Sequence, residues 1–75
     1  MSKVQQLGLT CKNEAQMEEF ADRVSNYNTS KGLLAVNMEA REQSDGHWEI
    51  SLEFASRAYA RDFWIDPEYD VQVLT

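Results

Sequence analysis

The chain has 75 residues, enough for one domain and near the lower size limit for a hydrophobic core without staples. Its net charge of −6 disfavours nonspecific binding to nucleic acid or anionic membrane, because both require cationic side chains. The single cysteine, Cys11, excludes an internal disulfide and a multi-cysteine zinc site. We therefore expect residues 1–75 to form a single cytoplasmic domain without a membrane span.

The first two predicted elements are a strand and an amphipathic helix. The strand covers residues 3–11, and its inward face carries Leu7, Leu9 and Cys11. Asn13 is a suitable helix N-cap, and Gln16 follows it at capping-box spacing. Apolar residues then recur at helical steps, at Met17, Phe20, Ala21, Val24 and Tyr27 or Asn28. Several residues before Gly32 are poor helix formers, so we expect a helix of about four turns followed by a connection that Gly32 closes.

Two alternating apolar runs joined by Asp45-Gly46 predict a β-hairpin. The strands lie near 33–42 and 47–55. The apolar positions are Leu34, Val36, Met38 and Ala40 in the first run and Trp48, Ile50, Leu52 and Phe54 in the second. Alternation of this kind is typical of strands with one buried face.

The loop length decides which residues of the hairpin face each other. A three-residue loop, 44–46, places Ala40 opposite Ile50 and keeps both apolar sets on one face. A two-residue loop would set Glu39 opposite Leu52 on that face, and we reject it. The longer loop requires a left-handed residue, which Gly46 supplies.

The C-terminal third predicts a short helix and a last strand. Ser56 is suited to cap a helix over about 57–65, and Pro67 cannot continue it. The apolar side of this helix includes Tyr59, Ala60, Phe63 and Trp64. Residues 69–75 alternate again and predict an edge strand.

The order strand, helix, strand, strand, helix, strand predicts an α+β protein of ferredoxin-like βαββαβ topology. Its four-stranded antiparallel sheet carries both helices on one face. Right-handed crossovers place the first and third strands centrally and the second and fourth at the edges. The open face of this sheet is polar and acidic and lacks aromatic side chains, so we do not expect it to bind RNA directly.

No constellation of side chains indicates a catalytic, cofactor-binding or metal-binding site. Cys11 and His47 lie at the same end of the predicted sheet but on opposite faces, so they are poorly placed as nucleophile and base. Glu49 and Glu53 are separated by about 13 Å along one strand, which is too far to share a metal. We therefore favour a non-enzymatic protein that holds no cofactor.

Two groups of residues are predicted to bind a protein partner. The first is an aromatic and basic patch formed by Arg57, Arg61 and Trp64. In the alternative interpretation, Trp64 and Ile65 pack against Tyr69 at the end of the core. The second group is the acidic side of the first helix, with Glu14, Glu18 and Asp22, which would steer a basic partner.

These groups predict a small regulator, adaptor or inhibitor that acts through surface complementarity. Its acidic surface either mimics nucleic acid on a basic target or only keeps the protein soluble. One alternative is a homodimeric ligand-binding protein or enzyme, with pocket groups among Tyr27, His47, Trp48 and Tyr59. Another is a structural subunit of a larger assembly. The C-terminal edge strand, with Asp70 as its single charged residue, would join two copies in a homodimer.

Overall fold

The structure is a computed structural model that describes residues 5–74. Its elements are β1 (Gln5–Cys11), α1 (Glu14–Lys31), β2 (Val36–Glu42), β3 (Trp48–Phe54), α2 (Arg57–Asp62), a 3-10 helix (Pro67–Tyr69) and β4 (Gln72–Val73). The strands form one antiparallel sheet in the order β2-β3-β1-β4. The α+β class, with four antiparallel strands and two helices, is confirmed. The positions predicted as strand at 3, 4 and 75 lie outside the described residues.

The hairpin of β2 and β3 has the register that the alternation predicts. Ala40 faces Ile50 and Met38 faces Leu52 across the ladder. The Gly46 amide donates to the Gln43 carbonyl over 3.0 Å, which closes a turn before the strands resume. Gly46 has a φ of 91°, the positive value that this three-residue loop requires.

Helix α1 is longer than its sequence predicts, with 18 residues instead of about four turns. Asn13 caps its first turn as expected, and its side chain accepts from the Gln16 amide over 2.9 Å. The helix continues through the poor helix formers because their side chains find partners in the folded chain. Thr29 donates to the Ser25 carbonyl over 3.0 Å, and Asn28 bonds to the backbone of β2. At Asn28 a tertiary contact has overridden intrinsic propensity.

The C-terminal third departs most from expectation. Helix α2 has six residues, and Phe63 is its C-cap rather than part of a helix reaching 65. The predicted strand over 69–75 is also wrong in extent, because β4 comprises only Gln72–Val73 among the described residues. Pro67 begins a 3-10 turn, and the left-handed backbone of Asp70 (φ 56°) then interrupts the extended chain.

One core lies between the helices and the inner face of the sheet. Its buried members come from three strands, from α1 and from the segment after α2: Leu9, Cys11, Phe20, Val24, Val36, Ile50, Leu52, Phe54 and Phe63. Phe63 makes edge-on or tilted ring contacts with Phe20, Tyr27 and Phe54 at centroid distances between 5.1 and 5.8 Å. The aromatic ring just after α2 therefore closes the core on the helical side.

Candidate functional site

The segment after α2 separates two adjacent aromatic side chains. Phe63 is 4% exposed and belongs to the core, whereas Trp64 is 64% exposed. Ile65 is half-buried and packs against the core. The interpretation that Trp64 packs at the end of the core is therefore wrong, whereas Ile65 does pack against the core.

The backbone of this segment is held in place although the indole is exposed. The Arg23 side chain on α1 donates a hydrogen bond to the Trp64 carbonyl oxygen. The same guanidinium stands over the Phe63 ring, 4.6 Å from its centroid, in cation–π geometry. Trp64 thus projects from an anchored backbone, which reduces the conformational entropy that a contact through its indole would cost.

Two arginines lead up to this tryptophan. Arg57 and Arg61 are one turn apart on α2, and both are exposed. Arg61 precedes Trp64 by three residues, so the basic row on the helix ends beside the segment that carries the indole. We call Arg57, Arg61 and Trp64 the aromatic–arginine patch. Tryptophan and arginine are the residue types most enriched at the centres of protein interfaces.

The last residue of α2 is fixed to α1 by a small polar network. Asp62 accepts a hydrogen bond from the Tyr27 hydroxyl over 3.0 Å and pairs with Lys31 at 3.1 Å. The Lys31 ammonium, followed by the Tyr27 hydroxyl, holds the pKa of the Asp62 carboxyl below its ordinary value. Burial and the neighbouring Asp62 raise the pKa of the Tyr27 hydroxyl. This network positions the base of the aromatic–arginine patch.

The predicted acidic residues lie in one row on α1. Glu14, Glu18 and Asp22 follow one another at four-residue steps, and all three are exposed. Because all three side chains are exposed, their negative charge faces solvent. Met17, Ala21 and Ser25 each follow one of these residues by three positions. Residues three apart are neighbours on a helix surface, so the acidic row borders the row of Met17, Ala21 and Ser25.

Sequence reasoning missed a groove between α1 and β2. Burial falls along the inner face of β2, from buried Val36 through half-buried Met38 to exposed Ala40. Met17 and Ala21 are likewise only half-buried on the facing helix. The gap is an open depression of about 420 Å³ whose lining is more apolar than polar. Alternation places Ala40 on the inner face but carries no information on where α1 leaves that face uncovered.

The opposite face of the sheet carries depressions that are smaller but more enclosed than this groove. Leu74, half exposed, covers Gly8, where an added Cβ would lie 3.4 Å from its side chain. Around it run polar and acidic residues, including Gln6, Glu49 and Glu53. Among residues 5–74 this face presents no aromatic ring on which a base could stack.

The groups proposed for nucleophilic chemistry stay apart. Cys11 is fully buried, and burial raises the pKa of its thiol, which disfavours the reactive thiolate. His47 contacts the carboxylates of Asp45 and Glu49 in the hairpin rather than the sulfur. The indole nitrogen of Trp48 is buried without a hydrogen-bond partner in the described structure.

The chain matches no protein-family model, no curated protein and no solved structure. Within residues 5–74, no group of three or more histidine, cysteine or acidic side chains is placed to hold a metal ion. No helix in that range is both long and apolar enough to cross a bilayer.

Proposed function

We propose that this protein is a small, non-enzymatic binding module that regulates, recruits or inhibits a protein partner through surface complementarity. One observation carries the proposal. The Trp64 side chain is 64% exposed, whereas its neighbour Phe63 is buried in the core. A tryptophan in solvent contributes little to folding, but it supplies a large, rigid contact when a partner covers it.

The charge distribution supports separate roles for two surfaces, one in dissociation and one in association. The aromatic–arginine patch provides the anchor, whose burial determines how slowly the complex dissociates. The acidic row of Glu14, Glu18 and Asp22 provides long-range attraction for a basic partner, which acts mainly on the rate of association. A net charge of −6 favours the same class of partner and disfavours direct contact with nucleic acid.

The scaffold proposed for this role is a ferredoxin-like fold. The strand order β2-β3-β1-β4 puts the first and third strands at the centre, as right-handed crossovers in a βαββαβ chain require. Both helices contribute to the single core on one face of the sheet. Since such a topology hosts many unrelated activities, the proposal depends on the surfaces and not on the fold.

Binding kinetics with the recovered partner test the two roles separately. Trp64→Ala should raise the dissociation rate, because the anchor is lost, while the melting temperature stays close to that of the wild type. Leu33→Ala, a truncation at another exposed hydrophobic residue (48% exposed), serves as the matched control. Glu18→Lys combined with Asp22→Lys should slow association, most strongly at low salt.

Two results would contradict the proposal. A large loss of thermal stability in Trp64→Ala would show that the indole supports the core. Association rates of the double lysine variant that equal those of the wild type at every ionic strength would remove the acidic row from the mechanism.

A further inference from the structure

The outer edge of β2 has a defined set of outward-facing backbone groups. The Ala35 carbonyl accepts from the Ala55 amide over 2.9 Å, and the Gln43 amide donates to the His47 carbonyl over 2.8 Å. In an antiparallel ladder, every second residue between these two bonds faces β3. The intervening residues, including Val36, turn their N–H and C=O groups away from the sheet.

The protein itself occupies the first position of this edge. The Asn28 side chain accepts from the Val36 amide and donates to the Val36 carbonyl, both over 2.9 Å, as a neighbouring strand would. By the same alternation, the backbone N–H and C=O groups of Met38, Ala40 and Glu42, which follow Val36, also point away from β3. The edge is therefore closed at one end and continues for three outward-facing residues.

The groove lies on the helical side of this same stretch. Met38 and Ala40 form part of its floor, and Met17 and Ala21 form part of its helical wall. A strand added beside β2 would place alternate side chains under this wall. Backbone pairing and apolar contact are thus available to one extended segment at the same time.

Charge selects the chemistry of the occupant. Glu14, Glu18 and Asp22 border the wall, and Glu42 lies at the end of the edge, all exposed. A second copy of this chain would bring the same acidic residues against them, with a further net charge of −6. Lysine and arginine fit instead, because their methylene stems cover apolar surface while their charged ends reach the carboxylates.

We propose that β2 accepts an extended, basic and apolar segment of a partner protein as a fifth strand, with one face of that segment filling the groove under α1. The inference rests on the proposed function, since it names the chemistry of the partner. It does not depend on Trp64. An experiment can therefore refute strand addition at β2 without refuting the role of Trp64, and the reverse.

The probe is a capped peptide, Lys-Thr-Val-Thr-Arg-Thr-Val-Thr-Lys, whose one face alternates basic and apolar residues. Titrated into the ¹⁵N-labelled protein, it should shift the amide resonances of 38–42 and of the Met17–Ser25 side of α1 in a saturable manner. A peptide with glutamate in place of each basic residue should not bind. A peptide N-methylated at alternate residues on its pairing edge should lose most of its affinity, because the added strand can no longer donate.

Two protein variants test the groove without disturbing the ladder. Ala21→Arg fills the wall from a half-buried position and should weaken peptide binding by about tenfold or more. Ala58→Arg introduces the same side chain at an exposed site on α2 and should leave binding unchanged. Trp64→Ala should also leave peptide binding unchanged, which separates this surface from the aromatic–arginine patch.

Other outcomes would overturn the inference. Equal binding of the acidic peptide would show that charge does not select the occupant. Unchanged affinity of the N-methylated peptide would exclude strand addition. The absence of saturable shifts with any peptide would mean that the charged residues on β2 only protect an edge strand from aggregation.

Discussion

Replacing Asn28 by alanine tests whether a side chain on α1 holds the edge strand in place. The substitution removes two hydrogen bonds to Val36, each 2.9 Å long and partly buried. At about 0.5–1.5 kcal/mol per bond, their loss should cost roughly 1–3 kcal/mol of unfolding free energy. Alanine is also the better helix former, which returns at most about 0.7 kcal/mol. We therefore expect a net destabilisation of about 0.3–2.3 kcal/mol.

The assay is chemical denaturation together with amide hydrogen exchange. A loss of 1 kcal/mol should lower the melting temperature of a domain this small by about 4–8 °C. The Val36 amide should exchange faster in the variant, because its acceptor is gone. Asn26→Ala is the matched control, since Asn26 is exposed on the same helix and should show only the propensity gain.

Opposite signs for these two alanine variants are the essential result. If Asn28→Ala is as stable as Asn26→Ala, the side chain does not hold the strand. Asn28 would then explain neither the length of α1 nor the closed end of the β2 edge.

Three further predictions concern the turn and the titrating groups. Gly46→Ala should cost about 1–2 kcal/mol in denaturation, because φ is 91° there, and Gly46→Asn should cost less; equal stability of all three proteins would exclude the left-handed turn. The pKa of Asp62 is lowered by Lys31, so its contribution to stability is complete above the ordinary value of 3.8 and is lost as the pH falls through the lower folded value. Asp62→Asn should therefore flatten the acid limb of a stability profile, and a parallel profile would contradict this. Burial raises the pKa values of Tyr27 and Tyr69 above 10.0, so an absorbance titration should show phenolates forming late, with one late transition missing in Tyr27→Phe. Tyrosine in the unfolded chain ionises at a lower pH than Tyr27 and Tyr69 do in the folded protein, so the free energy of unfolding should fall as the pH rises above 10.0.

The hairpin could be predicted from the sequence because two independent signals agree. Alternation fixes which side chains share a face, and the Asp45-Gly46 turn fixes how the strands align. A shift of one residue would have brought Glu39 to the apolar face. The register follows from local chemistry, and the structure reproduces it.

The errors have two other causes, a tertiary contact at Asn28 and a local turn that interrupts the alternation after Pro67. Asn28 and Thr29 favour turns in isolation, but their side chains bond to β2 and to the preceding helical turn. The last strand is short because the 3-10 turn at Pro67 and the left-handed Asp70 include residues whose apolar and polar alternation predicted a strand. Neither contact leaves a periodic signal.

The candidate surfaces were predictable to different degrees. The helical repeat alone placed Glu14, Glu18 and Asp22 on one exposed row. The exposure of Trp64 was ambiguous, since it depends on whether Phe63 or Trp64 enters the core after a helix of unknown length. The groove was not predictable, because it reflects how far α1 covers β2.

The measurement that tests the central proposal most directly is affinity capture from native host lysate at physiological salt, with quantitative mass spectrometry. Wild-type protein, Trp64→Ala and Leu33→Ala are used as parallel baits, each shown beforehand to have the same melting temperature. We expect one protein in stoichiometric amount on the wild type and on Leu33→Ala, and its loss from Trp64→Ala. Equal retention by all three baits, or retention of nothing by the wild type, would contradict the proposal that Trp64 anchors a protein partner.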